Sequence, residues 1–268
     1  MLQPSPFEGV RVAWECDLFR RIGEAGGTRR EPGGEEVKDV AVPNVRRGDD
    51  RSQIKTRERV RDLAEVYTHK REVDAMLDLV PNMFPSDDDP SNTDRTFLEP
   101  ACGSGNFLEE ILHRKLVHVT ARRYGRGERY EQRILRCLAS IYGIDIDETN
   151  VAESRSRLRG LIASHVDNDL NTKVPTAGFA AAVEAILSTN IQRANTLTDA
   201  ESIVLVQYHA SRSGMFVREW SFLQEPDSQM DLFGAPDEPS RDANPIHYSE
   251  LAANPRPVAA ERLNGVEK

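Results

Sequence analysis

Cysteine is scarce in this chain: Cys16, Cys102 and Cys137 are the three present in 268 residues. They are odd in number and far apart, and no pair has metal-ligand spacing, which argues against both a zinc site and a disulfide framework. A reducing compartment is the expectation. Long apolar runs are missing too. No stretch approaches the roughly 20 apolar residues that a membrane-spanning helix needs. The opening MLQPSPFEGVRVAWECD has no apolar run behind a basic head, so no signal peptide is expected and a cytoplasmic location follows. Cationic residues are also in short supply. Lys and Arg number 35 against 44 Asp and Glu, a net charge of −9 that argues against a complete enzyme gripping DNA unaided. Hydrophobic residues make up 38%, lean for the whole length, so part of the chain is expected outside the core.

What is present is unevenly distributed. Basic residues crowd Arg46 to Arg61 and His113 to Arg136, while acids crowd Asp87 to Asp89 and Glu225 to Glu238. Residues 1–50 mix short apolar patches with Gly-Gly pairs and charges and are expected to be mostly loop. A helix is expected from Ser52 to about Tyr67. A second is expected from Lys70 to Val80, where Val73, Met76, Leu77 and Val80 share one helical face and Pro81 ends the run. Strands then alternate with helices. Strands are predicted at Thr96–Ala101, Ile141–Ile146, Asn190–Ala194, Ile203–Tyr208 and Met215–Phe222. Helices are predicted from Asn106, over Ile134–Leu138, from Glu148 to about Val166 and over Phe179–Leu187. This order predicts an α/β fold, a parallel sheet with helices on both faces, over residues 51–223. Residues 224–268, acidic and rich in Pro, Asp and Ser, are expected to form a disordered tail.

The segment TFLEPACGSGNFLEEIL reads as a strand, a glycine turn and a helix start. Gly103 and Gly105 let the backbone turn tightly and approach a ligand without side chains in the way. The amides of the following helix favour a negative group, and ligands of open α/β sheets sit beyond the carboxyl ends of the strands. No Gly-Lys-Ser/Thr follows, which argues against a phosphate-gripping P-loop, and the third glycine of the dinucleotide pattern is missing. A glycine turn of some other Rossmann-like enzyme is the alternative on these features alone.

Phe97-Leu98-Glu99-Pro100-Ala101-Cys102-Gly103-Ser104-Gly105-Asn106-Phe107-Leu108 resembles the S-adenosylmethionine motif of amino-methylating DNA methyltransferases, above all the modification subunits of restriction systems. The resemblance implies a Rossmann-like methyltransferase domain in which residues 99–106 cradle the cofactor. Upstream, Tyr67-Thr68-His69 is similar to the family's Tyr-Thr-Pro element at the methionine end of the cofactor, with His69 in place of proline; Thr68 is equally suited to cap a helix. Downstream, Tyr142-Gly143-Ile144-Asp145-Ile146-Asp147 resembles the second cofactor motif. Asp145, followed by Ile146, is then the acid that accepts two hydrogen bonds from ribose hydroxyls, and Asp147 begins or caps the next helix. A plain helix cap is the other reading of either aspartate. Asn195 stands where the family has an Asp touching the adenine amine, and its side-chain oxygen can accept without charge.

The family's catalytic element, Asp/Asn/Ser-Pro-Pro-aromatic after the fourth strand, has no counterpart after Ile203–His209. The nearest partial match is Asn244-Pro245-Ile246-His247-Tyr248, with Asn244, Pro245 and Tyr248 as the candidate catalytic residues and a simple loop turn as the favoured reading. Cys102, in the cofactor turn, reads as a small buried thiol and not as a nucleophile. The basic stretch His113–Arg136, with Tyr124 and Tyr130 among arginines, suits phosphate contact and base stacking, a solvated helix–loop, or an acidic partner subunit. The family's target-recognition region has no counterpart either, so the resemblance covers the cofactor half, about residues 55–208. What it implies is an S-adenosylmethionine-binding subunit of a restriction-modification or phage-defence system. Such a subunit methylates an exocyclic amine, adenine N6 foremost, with DNA and a partner subunit as its partners. The alternatives are a non-catalytic cofactor-binding subunit acting in assembly or regulation, and a methyltransferase for a small molecule or protein.

Overall fold

A computed structural model describes residues 68–170, 175–223 and 241–257. The chain divides into two compact units, Trp14–His69 in one and Met1–Ala13 with Lys70–Lys268 in the other. Thr68 and His69 belong to the first; everything that follows concerns the second. The helix expected from Ser52 lies outside the described residues.

The elements from Lys70 onward are helix α1 (Lys70–Leu77), a 3-10 turn (Pro81–Met83), strand β1 (Phe97–Glu99), α2 (Asn106–Leu116), the short α3 (Ala121–Tyr124), α4 (Glu128–Ala139), β2 (Ile141–Asp145), α5 (Glu148–Leu170), α6 (Phe179–Asn190), β3 (Ile191–Arg193), β4 (Val204–Ala210), β5 (Met215–Phe222), β6 (Ile246–His247) and a second 3-10 turn (Tyr248–Glu250). β1, β2 and β3 form a parallel sheet in that order, with Phe97 beside Ile141 and Gly143 beside Ile191. The protein is therefore α/β. Among the described residues no helix is long and apolar enough to cross a membrane.

Alternation along the three strands sorts the side chains to two faces. Phe97, Ile141 and Ile191 point into the main core with Leu108, Ile111, Leu112 and Leu116 of α2, Leu135 and Leu138 of α4, Leu158 and Ile162 of α5, and Ile186 and Leu187 of α6. Leu98, Tyr142 and Ile144 point the other way, into a second cluster with Ile203 and Leu205.

That second face differs from the expectation of helices on both sides. It is covered by the hairpin β4–β5, whose strands pair antiparallel from Val204–Phe222 to Ala210–Phe216. β4 does not extend the parallel sheet. The carbonyl of Val204 accepts from the Gln192 amide at 2.7 Å, that of Val206 from the Tyr142 phenol at 2.9 Å, and the phenol of Tyr208 meets Thr189 Oγ1 at 2.8 Å. β4 thus starts at the carboxyl ends of the parallel strands and runs back toward their amino ends. The reason is the connection. A parallel return needs a crossover of a dozen or more residues, usually helical, and only Ala194–Ile203 separates β3 from β4, with no helix in it.

The acidic tail also differs from the expectation. Residues 241–257 pack on the core: β6 pairs with β5, and Ile246, Tyr248 and Leu251 are buried. Two polar anchors hold this strap. Arg218 on β5 forks onto Asp242, with Nε to Oδ2 at 2.9 Å and Nη2 to Oδ1 at 3.0 Å, and also donates to the carbonyls of Asn254 and Arg256. The Tyr248 phenol donates to Glu131 of α4 at 2.7 Å, and the Thr176 amide reaches the same carboxylate at 2.9 Å. Elsewhere in the core the Lys115 ammonium is fully buried without a carboxylate, donating to the carbonyls of Thr93 and Arg95 and to Ser140 Oγ.

Two outcomes are expected. Asp242→Ala leaves the Arg218 charge buried and uncompensated, which should remove about 3–5 kcal/mol of stability in urea unfolding. A loss under 1 kcal/mol would show that the strap is not held by this pair. Burial pushes the Lys115 pKa down from 10.5 to about 8. Between those values the unfolded chain holds the proton that the folded chain has released, so stability rises with pH across that window and is lost again as pH falls through 8. Unfolding midpoints at pH 7 and pH 9.5 should therefore move in favour of the parent protein over Lys115→Met at the higher pH; parallel responses would contradict this.

Candidate functional site

The carboxyl ends of β1, β2 and β3 form one rim, and most of the residues picked out by sequence stand on it. β1 ends in buried Glu99, and the chain turns through Pro100, exposed Ala101 and buried Cys102 into the glycine turn. The Cys102 amide donates to Ile144 O on β2 and its carbonyl accepts from the Gly105 amide, both at 2.9 Å. Gly103 has φ +53° and Gly105 φ +87°, the left-handed region where a side chain is strained. Gly105 precedes α2, which begins at Asn106, so the amino end of that helix and its partial positive charge face the rim.

The turn is tied to its neighbours by direct bonds. The Gly103 amide donates to Asp145 Oδ2 at 2.8 Å, joining the end of β1 to the end of β2. The Gly103 carbonyl accepts from Ser154 Oγ at 3.0 Å, and Arg157 donates to the Ser104 carbonyl at 2.9 Å and to Asn106 Oδ1 at 2.6 Å. Both donors lie on α5. Close approach explains two glycines. A Cβ on Gly105 would stand 2.7 Å from Ser154 Oγ, and one on Gly143 would stand 2.6 Å from Leu108 Cδ1 and 3.2 Å from Cys102 Sγ. The Cys102 thiol, enclosed there, has its pKa pushed up to about 12 by burial, with the Asp145 carboxylate adding to the effect. A protonated, buried thiol is no nucleophile.

Asp145 is half-buried, and its carboxylate serves three protein donors: Gly103 N on Oδ2, and Asp147 N at 2.8 Å and Asn150 Nδ2 at 3.3 Å on Oδ1. A carboxylate offers about four lone-pair positions, so one, on Oδ2, is left for a ligand where sequence reasoning assigned two. Asp147 caps α5 as expected, accepting from the amides of Thr149 at 2.7 Å and Asn150 at 3.3 Å. Ile146 leaves 51% of its surface exposed beside it. Asn195 stands on the rim loop after β3, next to the Ala194 amide that donates to the Asp145 carbonyl at 3.0 Å. Its side-chain oxygen accepts from the Leu197 amide at 3.0 Å, which leaves the second lone pair. Thr196 Oγ1 donates to Pro100 O at 3.2 Å and draws this loop onto the first turn. Ser154, Arg157 and Thr196, which hold the rim together, were not legible in the sequence, because their partners are backbone carbonyls 51, 53 and 96 residues away.

The remaining predicted residues of the second unit stand on the strap. Tyr67 lies outside the described residues, and Thr68, half-buried, precedes α1 in the other compact unit. Asn244 and Pro245 are exposed, at the turn leading into β6. Tyr248 is fully buried, its phenol engaged by Glu131 and Thr176 and its ring 4.4 Å from that of His247. The Tyr248 ring has no face free to stack on a base, and Asn244 and Pro245 form the loop turn that was the favoured reading of this segment.

The two turn glycines should respond differently to alanine. At Gly103 the added Cβ meets nothing within 4 Å, leaving only the left-handed backbone penalty of about 1–2 kcal/mol. At Gly105 the contact with Ser154 adds an overlap of about 1–3 kcal/mol. Guanidinium unfolding should rank Gly105→Ala clearly below Gly103→Ala, and equal losses would contradict the close approach of α5. Compared with family models, with curated proteins and with solved structures, the chain matches none, so the chemistry of this rim is read from its own residues.

Proposed function

We propose that the rim binds S-adenosylmethionine and that the chain is a subunit of a restriction-modification or phage-defence DNA methyltransferase of the adenine-N6 type. The observation that carries the reading is the junction of the glycine turn with the Asp145 carboxylate, 2.8 Å apart at the ends of two adjacent parallel strands.

The donor set fits the polar parts of that cofactor. Asp145 Oδ2 keeps one acceptor position for a ribose hydroxyl. Exposed Ile146 offers apolar surface for a planar base, and Asn195 keeps one lone pair for an amine. The carboxylate of Glu99 and the amino end of α2 supply charge of both signs near the turn. When bound, the cofactor supplies a methyl group on a sulfonium, open to direct displacement by an amine. The residues of this chain would position the donor and shape the pocket floor. The base-gripping element and target recognition would come from a partner subunit.

A second reading, a non-catalytic cofactor-binding subunit that acts in assembly or regulation, is favoured by the direction of β4. In the family resembled, the base-gripping motif follows the fourth strand at the same edge as the glycine turn. Here β4 ends at Tyr208–Ala210, beside Thr96, Ala139 and Ser140 at the amino ends of β1 and β2. That end is the length of β2 away from the rim, roughly 13 Å at about 3.3 Å per residue.

Calorimetric titration with S-adenosylmethionine tests the shared premise. The parent protein should bind, and Asp145→Ala should bind about 10- to 150-fold more weakly, the equivalent of about 1.5–3 kcal/mol for a lost charged hydrogen-bonding group. No heat of binding in the folded parent protein would sink both readings. Transfer of tritiated methyl to duplex DNA, with and without neighbouring gene products, separates them: incorporation in some combination supports the enzyme, and binding without incorporation in any combination supports the silent subunit.

A further inference from the structure

The basic stretch His113–Arg136 divides into two sets in the fold. One set is engaged internally. Arg114 pairs with Glu110 and Asp78, Lys115 is buried, Arg133 donates to Thr93 Oγ1 and stacks 4.9 Å from the Tyr124 ring centre, and Arg136 pairs with Asp94. The other set is Arg122, Arg123, Arg126 and Arg129. These four are exposed, and their side chains make no hydrogen bond or ion pair with any described residue. They lie on α3, on the turn between Gly125 and Gly127, where both glycines have positive φ, and on the first turn of α4.

Three acids nearby make contacts of their own. Glu128 faces His247 at 3.4 Å, Glu131 holds Tyr248 and Thr176, and Asp169 accepts from the Ala121 amide at 2.5 Å. The β4–β5 turn adds Arg212, exposed and likewise without a partner among the described residues; its carbonyl accepts from Gln132 of α4 at 3.0 Å. In a chain of net charge −9, these arginine side chains stand together without a partner among the described residues.

We propose that the arginine knuckle 122–129 binds the phosphate backbone of nucleic acid without reading its sequence. Guanidinium groups match phosphate oxygens as forked donors, and four within eight residues suit a run of phosphates better than a single small anion. The occupant is nucleic acid and not a lipid surface, because the segment has no apolar side chain to seat in an acyl layer. Ala121 and Tyr124 are half-buried, and the Tyr124 phenol donates to Pro90 O at 3.3 Å with Arg133 over its ring. That engagement also withholds Tyr124 from stacking on a base, which leaves backbone contact alone.

The site is separate from the rim and does not rest on the cofactor reading. Asp169 fixes α3 near the far end of α5, whose first residue Glu148 follows the rim, and 21 residues at about 1.5 Å each place the knuckle roughly 30 Å away.

Fluorescence anisotropy of a labelled 20-base-pair duplex of arbitrary sequence with the full chain, without S-adenosylmethionine, tests this. Four phosphate contacts predict a slope of about −3.6 in log affinity against log salt, on the order of a 100-fold weakening between 50 and 200 mM. The variant with Arg122, Arg123, Arg126 and Arg129 all changed to Gln should lose at least 10-fold in affinity at 50 mM salt and most of the slope. Arg159→Gln, at an arginine paired with Glu184, should keep both. Should the fourfold variant fail to fold, Arg126→Gln alone, in the open turn, should lower the slope by about 0.9. No duplex binding at 50 mM salt, binding unchanged in the fourfold variant, or sedimentation with phosphatidylserine vesicles in place of duplex binding would each overturn the proposal.

Discussion

The amide of Gly103 donates to the carboxylate of Asp145, and the arrangement of the rim follows from that bond. It crosses from the end of one parallel strand to the end of the next and fixes where the glycine turn begins. The turn can reach the carboxylate because nothing stands between them. Gly143, in the middle of β2, has no side chain to push Leu108 and Cys102 away, and Gly105 has none to push Ser154 away. Three close approaches, each made by the lack of a Cβ, set the distance between β1, β2 and α5. A partly buried donor–carboxylate bond is also costly to leave half-made, so the fold itself holds the turn against the carboxylate.

That same bond limits the chemistry on offer. Asp145 serves Gly103, Asp147 and Asn150 before it serves any ligand, and one acceptor position is what remains. The residue is a fastener of the turn, and in the proposed reading a recognition group as well. Its two roles pull together, because a ribose hydroxyl on Oδ2 would meet a carboxylate already oriented by backbone amides. In the proposed reading the rim is thus a positioning device. The direction of β4 separates it from the place where a base-gripping motif would follow the fourth strand, and the partner subunit proposed above answers to that geometry.

Polar clamps hold the parts of the chain that follow the parallel sheet. The hairpin covers what helices cover elsewhere, while the strap joins the main core through Ile246, Tyr248 and Leu251. Arg218 with Asp242, and Glu131 with Tyr248 and Thr176, hold them at defined points. The arginine side chains of residues 122–129, by contrast, are left outside every such clamp.

Several features were legible in the sequence because they depend on neighbours in the chain. The helical face of Val73 and Leu77, the helix opening at Asn106 behind two glycines, the strand at Ile141 and the cap at Asp147 each follow from local periodicity or turn chemistry, and each appears where expected. The meeting of the glycine turn with Asp145 was implied by the family resemblance, and the fold brings the two together across 42 residues. The length of Ala194–Ile203 already ruled out a helical crossover, yet strand-like residues at 204–210 carry no mark of direction. The placement of β4 across the sheet, the docking of 241–257 and the burial of Tyr248 were decided by tertiary structure alone. Each depends on partners far along the chain, Tyr142 for Val206, Glu131 for Tyr248 and Arg218 for Asp242, and the charge of a segment does not reveal whether a buried counter-charge awaits it.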